Sequence, residues 1–253
     1  MNTIRPIANR FGINVLADSC ESVLALHHGK TIGQWSDISV FSFYIAHLLT
    51  TGVGGISITD NPEYAGIMRS LVNHGRDSSK YFAIDDDGGL TKEELEKVIA
   101  KRFHFDRIGH SFRITELEAA IGVAQMKSIQ YIVDKRQKNA SYLSEILSTS
   151  SDRIQLPAIR PYTSHSYMMY PIVLRNESKW PLVNYLEEHG VETRELVRLT
   201  DQPCYAGLWN PEDYPIAKWL NEGGFYCGVH QDLGPSDMEY IGDLITTWIK
   251  THG

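Results

Sequence analysis

The sequence predicts an α/β fold, in which strand-like and helix-like segments alternate along the chain. Two observations carry this prediction. Short runs rich in β-branched and aromatic residues alternate with segments whose apolar residues recur at helical spacing. The 253 residues, 42% of them hydrophobic, are also enough to bury a sizeable core, as one large domain or as two small ones.

The first part of the chain is predicted to contain a helix, three strands and a second helix. A short helix at about residues 3–11 leads to a strand at 13–17. Further strands follow at 38–44 and 55–59, and a helix at 62–73 comes after a turn.

Capping boxes indicate two more helix starts. Thr91 with Glu94, and Thr115 with Glu118, have the spacing at which a hydroxyl and a carboxylate cap each other's backbone N–H groups. A long helix follows the second box. A polar break at 148–152 then separates a predicted domain at 1–150, which includes this helix, from a second domain at 151–253.

The second domain is predicted to be a small α/β unit. Strands are expected at 166–174, 191–194 and 223–230, an amphipathic helix at 179–189, and a closing helix at 236–250.

Composition excludes several classes of protein. The net charge of −7 disfavours nucleic acid as a partner. No apolar run has the length of a membrane span and no signal-peptide pattern is found, so a cytoplasmic location is expected. The three cysteines lack CxxC spacing, and the acidic loop at 85–89 lacks the twelve-residue calcium pattern, so no metal site is expected.

Polar residues at strand ends are the candidate functional residues. Asp18 ends the first strand, at the place where open α/β sheets bind ligands. Ser42 and His47 follow the strand at 38–44, next to a loop with three glycines. Taken singly, such an aspartate is often a helix cap and such a histidine a surface residue.

Residues 41–55 resemble the cofactor-anchoring stretch of the DegT/DnrJ/StrS family of pyridoxal-phosphate sugar aminotransferases. That stretch reads Ser-Phe-x-x-x-Lys before a Gly-Gly loop, and this chain has Ser42, Phe43 and then His47 in place of the lysine. The resemblance implies a fold-type-I fold, here the C-terminal part of the large domain plus a small α/β domain. The histidine is similar to that of the 3-dehydratase branch, of the GDP-4-keto-6-deoxymannose 3-dehydratase type.

The resemblance also implies roles for the other candidates. Asp18 matches the aspartate that keeps the pyridine nitrogen protonated, and Ser42 the serine that binds the cofactor phosphate. Glu21 lies where the dehydratases have an acid. Residues 105–122 resemble the family segment Gly-Tyr-Asn-x-Arg-x-Thr-Glu, in which the asparagine reaches the cofactor of the partner subunit of a homodimer. Ser111 takes its place here.

Two residues of the second domain are candidates for substrate contacts. Arg194 ends a Gly-x-x-Thr-Arg step that is similar to one in the family, and His230 follows the strand at 223–230. A surface salt bridge or a solvated histidine would show the same pattern.

The resemblance begins inside the family's large domain. It therefore implies that the N-terminal portion, with further strands and the residue that stacks on the cofactor, is absent. Either the chain is a fragment, or a separate chain supplies the rest. The missing portion would also cover the unpaired edges of the remaining strands, which proteins usually protect.

The function implied is pyridoxal- or pyridoxamine-phosphate-dependent 3-dehydration of a nucleotide-linked 4-keto-6-deoxyhexose. Two alternatives stay open. One is an aminotransferase-family member with altered activity, and the other is a non-catalytic remnant that serves as a binding or dimerisation module.

Overall fold

A computed structural model describes residues 1–77, 89–196, 199–200 and 202–252. These residues form two compact units, Met1–Lys127 and Ser128–Gly253. Residues 85–88 of the predicted acidic loop lie outside the described part of the chain.

The described part of the first unit combines a small sheet with a hairpin and four α-helices. Its helices are α1 (Ile4–Phe11), α2 (Pro62–Val72), α3 (Lys92–Lys101) and α4 (Glu116–Met126), and its strands are β1 (Leu16–Asp18), β2 (Leu26–His27), β3 (Lys30–Thr31), β4 (Ile38–Ser42) and β5 (Gly55–Ile58).

The sheet of the first unit has the order β1-β4-β5. Strand β1 pairs with β4 in parallel, with Asp18 opposite Val40, and β5 pairs with β4 in the antiparallel direction. Parallel neighbours end at the same edge of a sheet, so β1 and β4 place Asp18 and Ser42 at one edge.

The first strand is shorter than predicted, because its first residues have other partners. Gly12 adopts a left-handed conformation with φ of 63° and ends α1. The Ile13 N–H then donates to the Ala8 carbonyl, and the Val15 N–H donates to the Asp37 carboxylate.

Both predicted capping boxes are confirmed. At the start of α3, the Thr91 N–H donates to the Glu94 carboxylate and the Glu94 N–H donates to the Thr91 hydroxyl. At the start of α4, the Glu118 carboxylate accepts from the Thr115 N–H. The short hairpin of β2 and β3 was not predicted. It turns at His28 and Gly29, which both have positive φ.

Two glycines allow the segment at 103–113 to pack against the end of α2. Gly75 has φ of 81°, and a Cβ added there would lie 1.7 Å from the Arg107 carbonyl oxygen. A Cβ added to Gly109 would lie 2.1 Å from the Gly75 nitrogen. Backbone therefore contacts backbone, and side chains at these positions would force the segments apart.

The second unit holds the main hydrophobic core. Its helices are α5 (Ile129–Leu147), α6 (Trp180–Glu188), α7 (Pro215–Gly223) and α8 (Pro235–Thr251), and its strands are β6 (Ile154–Gln155), β7 (Thr163–Ser164), β8 (Tyr170–Leu174), β9 (Thr193–Glu195) and β10 (Gly224–Cys227).

The main sheet of this unit is antiparallel, in the order β6-β8-β10-β9. Helices α5, α6 and α8 contribute buried side chains to a core that also contains Tyr170 and Phe225 from the sheet. The predicted strands and helices of this part are found, with shorter strands. Helix α7 was not predicted.

The long helix α5 belongs to the second compact unit, whereas the sequence placed the domain boundary after residue 150. Leu143 and Leu147 of α5 and Met238 and Ile245 of α8 lie in one core. Burial of these apolar side chains is what attaches the helix to the C-terminal unit.

Within the described ranges, no helix is long and apolar enough to span a bilayer. The same residues contain no group of three or more His, Cys, Asp or Glu side chains placed to hold a metal ion.

Replacing Gly109 should destabilise the first unit. Because its added Cβ would collide with backbone, we expect Gly109→Ala to lower the free energy of unfolding by about 1–3 kcal/mol. Urea titrations followed by circular dichroism measure this change. Gly228→Ala is the control, since nothing lies within 4 Å of its added Cβ. Equal unfolding curves for the two variants would contradict the close approach.

Candidate functional site

The candidate site lies at the edge of the first sheet where β1 and β4 end. Asp18 is the last residue of β1, and Ser42 is the last residue of β4. Their strands are hydrogen-bonded neighbours, which brings a carboxylate and a hydroxyl to the same edge. Glu21 follows three residues after Asp18, and its charge acts on His47.

The loop that carries His47 folds back on itself. The Phe43 N–H donates to the Gly54 carbonyl at 3.0 Å, and the Thr51 N–H donates to the Phe43 carbonyl at 2.9 Å. These hydrogen bonds hold the two ends of the loop together. Gly52 and Gly54, with φ of 85° and 137°, supply the backbone conformations that it needs.

Two contacts fix the loop further. Leu48 and Leu49, directly after His47, are buried with exposed fractions of 3% and 5%. The side chain of Gln125 in α4 accepts a hydrogen bond from the Thr50 N–H at 3.0 Å. His47 therefore stands on a loop that is anchored on both of its sides.

The environment of His47 favours the neutral imidazole. Burial lowers the pKa of His47 below its ordinary value, while the carboxylate of Glu21 acts in the opposite direction. The ring stands edge-on to Tyr44, with centroids 6.1 Å apart. Its Nδ1 atom is buried and has no hydrogen-bond partner among the described residues. Such an atom is normally satisfied by a ligand or by water.

Asp18 is held in its ionised form. Its pKa is lowered by hydrogen bonds from the side chain and the backbone of Cys20, and the Cys20 N–H lies 3.2 Å from Asp18 Oδ1. Asp18 is exposed, so the rest of the carboxylate can meet a ligand. Cys20 itself is half-buried.

Ser42 keeps a donor for a ligand. Its Oγ atom accepts a hydrogen bond from the Tyr44 N–H at 3.2 Å, which leaves the hydroxyl hydrogen to point elsewhere. Ser111 lies on another segment of the first unit, where it forms an isolated antiparallel bridge with Asn73, and it is exposed.

Arg194 and His230 lie in the second unit and have local partners. Arg194 stands opposite Tyr226 in the sheet, donates to the Thr193 carbonyl and forms an ion pair with Glu192. His230 accepts a hydrogen bond from the Asp232 N–H at 3.3 Å. Burial and the nearby Arg136 lower the pKa of His230.

Sequence reasoning missed three residues that shape these sites. Gln125 anchors the His47 loop, and Cys20 contacts Asp18. The buried Arg136 donates to the Tyr167 and Met168 carbonyls, which fixes that segment of the second unit. Only the spacing of Cys20, two residues after Asp18, gave a sequence signal, because aspartate commonly accepts from that N–H.

The model of the DegT/DnrJ/EryC1/StrS aminotransferase family matches residues 1–246. The chain belongs to this family. Enzymes of the family depend on pyridoxal or pyridoxamine phosphate, and solved structures similar to this chain include both the PLP form and the PMP form of a putative sugar aminotransferase from Streptococcus pneumoniae.

Curated relatives include both dehydratases and aminotransferases. The chain is 27% identical to the lipopolysaccharide biosynthesis protein RfbH of Salmonella typhimurium, over 95% of this chain and 58% of that protein. It is 25% identical to GDP-perosamine synthase of Caulobacter vibrioides (95% and 60% covered) and 24% identical to GDP-4-keto-6-deoxy-D-mannose 3-dehydratase of Escherichia coli O55:H7 (92% and 60%). The chain thus spans about 60% of the length of the relatives it matches.

Solved structures show the same fold-type-I architecture. DesV of S. venezuelae matches with a TM-score of 0.81 at 22% identity, over 98% of this chain and 61% of that one. The E. coli GDP-4-keto-6-deoxy-D-mannose-3-dehydratase with bound hydrated PLP matches with a TM-score of 0.76 at 21% identity, over 96% and 63%. The predicted α/β class and fold type are confirmed.

The residues at the sheet edge fit a cofactor of this kind that is held without a covalent bond. Asp18 offers an ionised carboxylate, Ser42 a hydroxyl donor, and His47 an unsatisfied ring nitrogen. The chain has no lysine between Lys30 and Lys80, so the loop at 43–54 has no amine to attach a cofactor.

The titration of His47 tests this geometry without any cofactor. We expect its pKa to lie below about 6.5, because burial disfavours the charged ring, and to fall further in Glu21→Gln, because the glutamate charge supports protonation. NMR of the histidine Cε1–H signals against pH gives both values, and His47→Asn identifies the signal. A pKa that is unchanged in Glu21→Gln would remove Glu21 from the site.

Proposed function

We propose that this chain acts in 3-dehydration of a nucleotide-linked 4-keto-6-deoxyhexose, with pyridoxamine phosphate held without covalent attachment and His47 as the proton-transfer residue. The observation that carries the proposal is His47 itself, which replaces the family's lysine on a loop beside Asp18 and Ser42. The 3-dehydratases among the relatives support it.

Each residue of the site has a distinct task. Asp18 pairs with the protonated ring nitrogen, Ser42 donates to the phosphate, and Glu21 keeps His47 basic enough to accept a proton. When bound, pyridoxamine phosphate supplies an amine for the sugar ketone and a ring that acts as an electron sink.

His47 performs the proton transfers. Because burial keeps it neutral near pH 7, its imidazole can accept a proton from the cofactor methylene carbon. The imidazolium so formed can donate that proton to the departing 3-hydroxyl, and the residue returns to its starting state. The net change would be a reduction of the sugar at C3 at the expense of the cofactor amine. Hydrolysis would therefore release the 3-deoxy ketosugar, ammonia and pyridoxal phosphate, and an amino donor such as an amino acid would have to restore pyridoxamine phosphate.

A second candidate is an aminotransferase-family member with altered activity, which the perosamine synthases and the transaminase among the relatives favour. His47 argues against transamination of the ordinary kind, because an imidazole cannot replace the covalent anchor. Cofactor binding without dehydration would support this candidate, whereas no cofactor binding would support a non-catalytic binding or dimerisation module.

We further propose that a second polypeptide completes the site. Strand β1 is the outer strand of its sheet, and Leu16 on it is 69% exposed. Strands of parallel sheets are usually covered on both faces, and free edges are usually protected. That cover would come from a separate chain with the family's remaining portion. A second copy of this chain would add to the cover and bring Ser111 to the neighbouring site.

The absence of a covalent link is directly testable. After incubation with pyridoxal phosphate and reduction with borohydride, mass spectrometry should find no cofactor attached within residues 42–55, because that stretch has no lysine. In His47→Lys, the same treatment should attach the cofactor at this position. An adduct in the native chain, or none in the variant, would contradict the placement of His47 at the cofactor.

Dehydration should depend on both His47 and the added polypeptide. Together with a relative's N-terminal portion, the chain should turn over a GDP- or dTDP-linked 4-keto-6-deoxysugar in the presence of pyridoxamine phosphate, whereas the chain alone should not. His47→Asn should lower the rate by about 10²–10⁴-fold while cofactor affinity is kept. Full activity in His47→Asn would remove the proposed base, and robust turnover by the chain alone would show that the site needs no completion.

A further inference from the structure

We propose that the ion pair of Arg5 and Asp37 positions Asp18, because it fixes the register in which β1 pairs with β4. Asp37 directly precedes β4, whereas Asp18 is the last residue of β1. The importance of this role for the reaction rests on the proposed function, in which Asp18 pairs with the cofactor ring. The contacts themselves belong to the chain without cofactor.

Asp37 binds both backbone groups of the residue that precedes β1. The Val15 N–H donates to Asp37 Oδ2 at 2.7 Å, and the Asp37 N–H donates to the Val15 carbonyl at 2.9 Å. These two hydrogen bonds join β1 and β4 where both strands begin. The first of them requires a side-chain acceptor at this position of the chain.

Arg5 of α1 fixes the orientation of that acceptor. Its Nη1 donates to Asp37 Oδ2 at 2.7 Å, and its Nη2 donates to Oδ1 at 3.1 Å. A guanidinium that donates to both oxygens holds a carboxylate in one orientation. Both side chains are partly buried, with exposed fractions of 30% and 24%, so water screens this pair less than a fully exposed one.

The contacts of Asp37 distinguish the observed register from its neighbours. A shift of β1 by one residue would turn its side chains to the other face and take Asp18 from the site. The same shift would take the Val15 N–H away from the Asp37 carboxylate. The residues on either side, Ser36 and Ile38, replace it poorly, because isoleucine has no acceptor and a hydroxyl accepts a weaker hydrogen bond than a carboxylate.

The ion pair acts on the site from a distance. Asp18 is paired with Val40, three residues beyond Asp37, which corresponds to about 10 Å at roughly 3.3 Å per residue. A change at Asp37 therefore reaches Asp18 through the pairing of the strands.

Hydrogen exchange of the Ser19 N–H measures this role. The group donates to the Val40 carbonyl at 2.8 Å, just beyond the paired residues of β1. Because β1 is an outer strand, it can separate from β4 without unfolding of the whole unit. In Asp37→Ala, we expect the Ser19 N–H of the purified chain to exchange about 10- to 100-fold faster, because a hydrogen bond to a charged acceptor is lost. NMR of ¹⁵N-labelled protein gives the rates.

The Phe43 N–H, which donates to the Gly54 carbonyl, is the internal reference, and its rate should stay at the native value. Asp60→Ala is the matched control variant. It removes a carboxylate from the same polar cavity but leaves Asp37 and its partners intact. Native exchange of the Ser19 N–H in Asp37→Ala, equal acceleration of both N–H groups, or the same acceleration in Asp60→Ala would overturn the proposal.

Variants of Arg5 give the same test if Asp37→Ala does not fold. Arg5→Met removes the guanidinium but leaves the carboxylate, so the Ser19 N–H should exchange faster than in the native chain. Arg5→Lys keeps a charged donor and should recover part of the difference. Native exchange in Arg5→Met would overturn the proposal.

A double-mutant cycle tests whether the ion pair acts through Asp18. The affinity for pyridoxamine phosphate is measured by fluorescence titration, with a relative's N-terminal portion present. Asp18→Asn and Asp37→Ala should each weaken binding, and Asp37→Ala should cause no further loss in the Asp18→Asn variant. Additive losses would overturn the positioning role. If the native protein does not bind the cofactor, the proposed function is refuted, while the exchange rates still decide the role of the ion pair.

Discussion

The parallel pairing of β1 with β4 is the constraint on which the candidate site depends. The register that sets Asp18 opposite Val40 brings the ends of both strands to one edge of the sheet. A slip by one residue would turn the side chains of β1 to the other face. The loop with His47 begins directly after Ser42, and Glu21 lies in the turn beyond β1. The pairing of three residues of β1 with three residues of β4 thus sets the positions of four proposed site residues.

The His47 loop shows how a site can be kept in place without a covalent anchor. In this chain, backbone hydrogen bonds hold the two ends of the loop together. The residues after His47 are held by the burial of two leucines and by a hydrogen bond to Gln125. These contacts are made within the protein, so the imidazole is positioned before the cofactor binds. Preorganisation of this kind is what general-base catalysis requires, because proton transfer depends on short and well-aligned distances.

The sequence predicted the fold class and the features that depend on neighbouring residues, but it missed features that depend on residues far apart in the chain. The capping boxes at Thr91 and Thr115 act between residues three apart, so they can be read from sequence and are found as predicted. The domain boundary depends on which core α5 joins, and Leu143 and Leu147 pack with α8, about a hundred residues later in the chain. Helix α7 was missed, although Ile216, Trp219 and Leu220 recur at helical spacing. The polar residues at the strand ends could be predicted, since Asp18 and Ser42 each end a strand. The contact of the Cys20 N–H with Asp18 was missed, although aspartate commonly accepts a hydrogen bond from the N–H two residues later.

The charge of the site gives a physical reason to expect further groups from outside the first unit. Asp18 is held ionised, and burial favours the neutral form of His47. With Glu21 and the uncharged Ser42, these residues form a negative surface that suits a protonated ring nitrogen or an amine. A phosphate would be repelled by the same carboxylates, and one serine hydroxyl offsets little of that repulsion. Enzymes usually bind phosphate with arginine or lysine, or with a helix N-terminus whose N–H groups point at the anion. A phosphate therefore needs donors that these four residues do not provide.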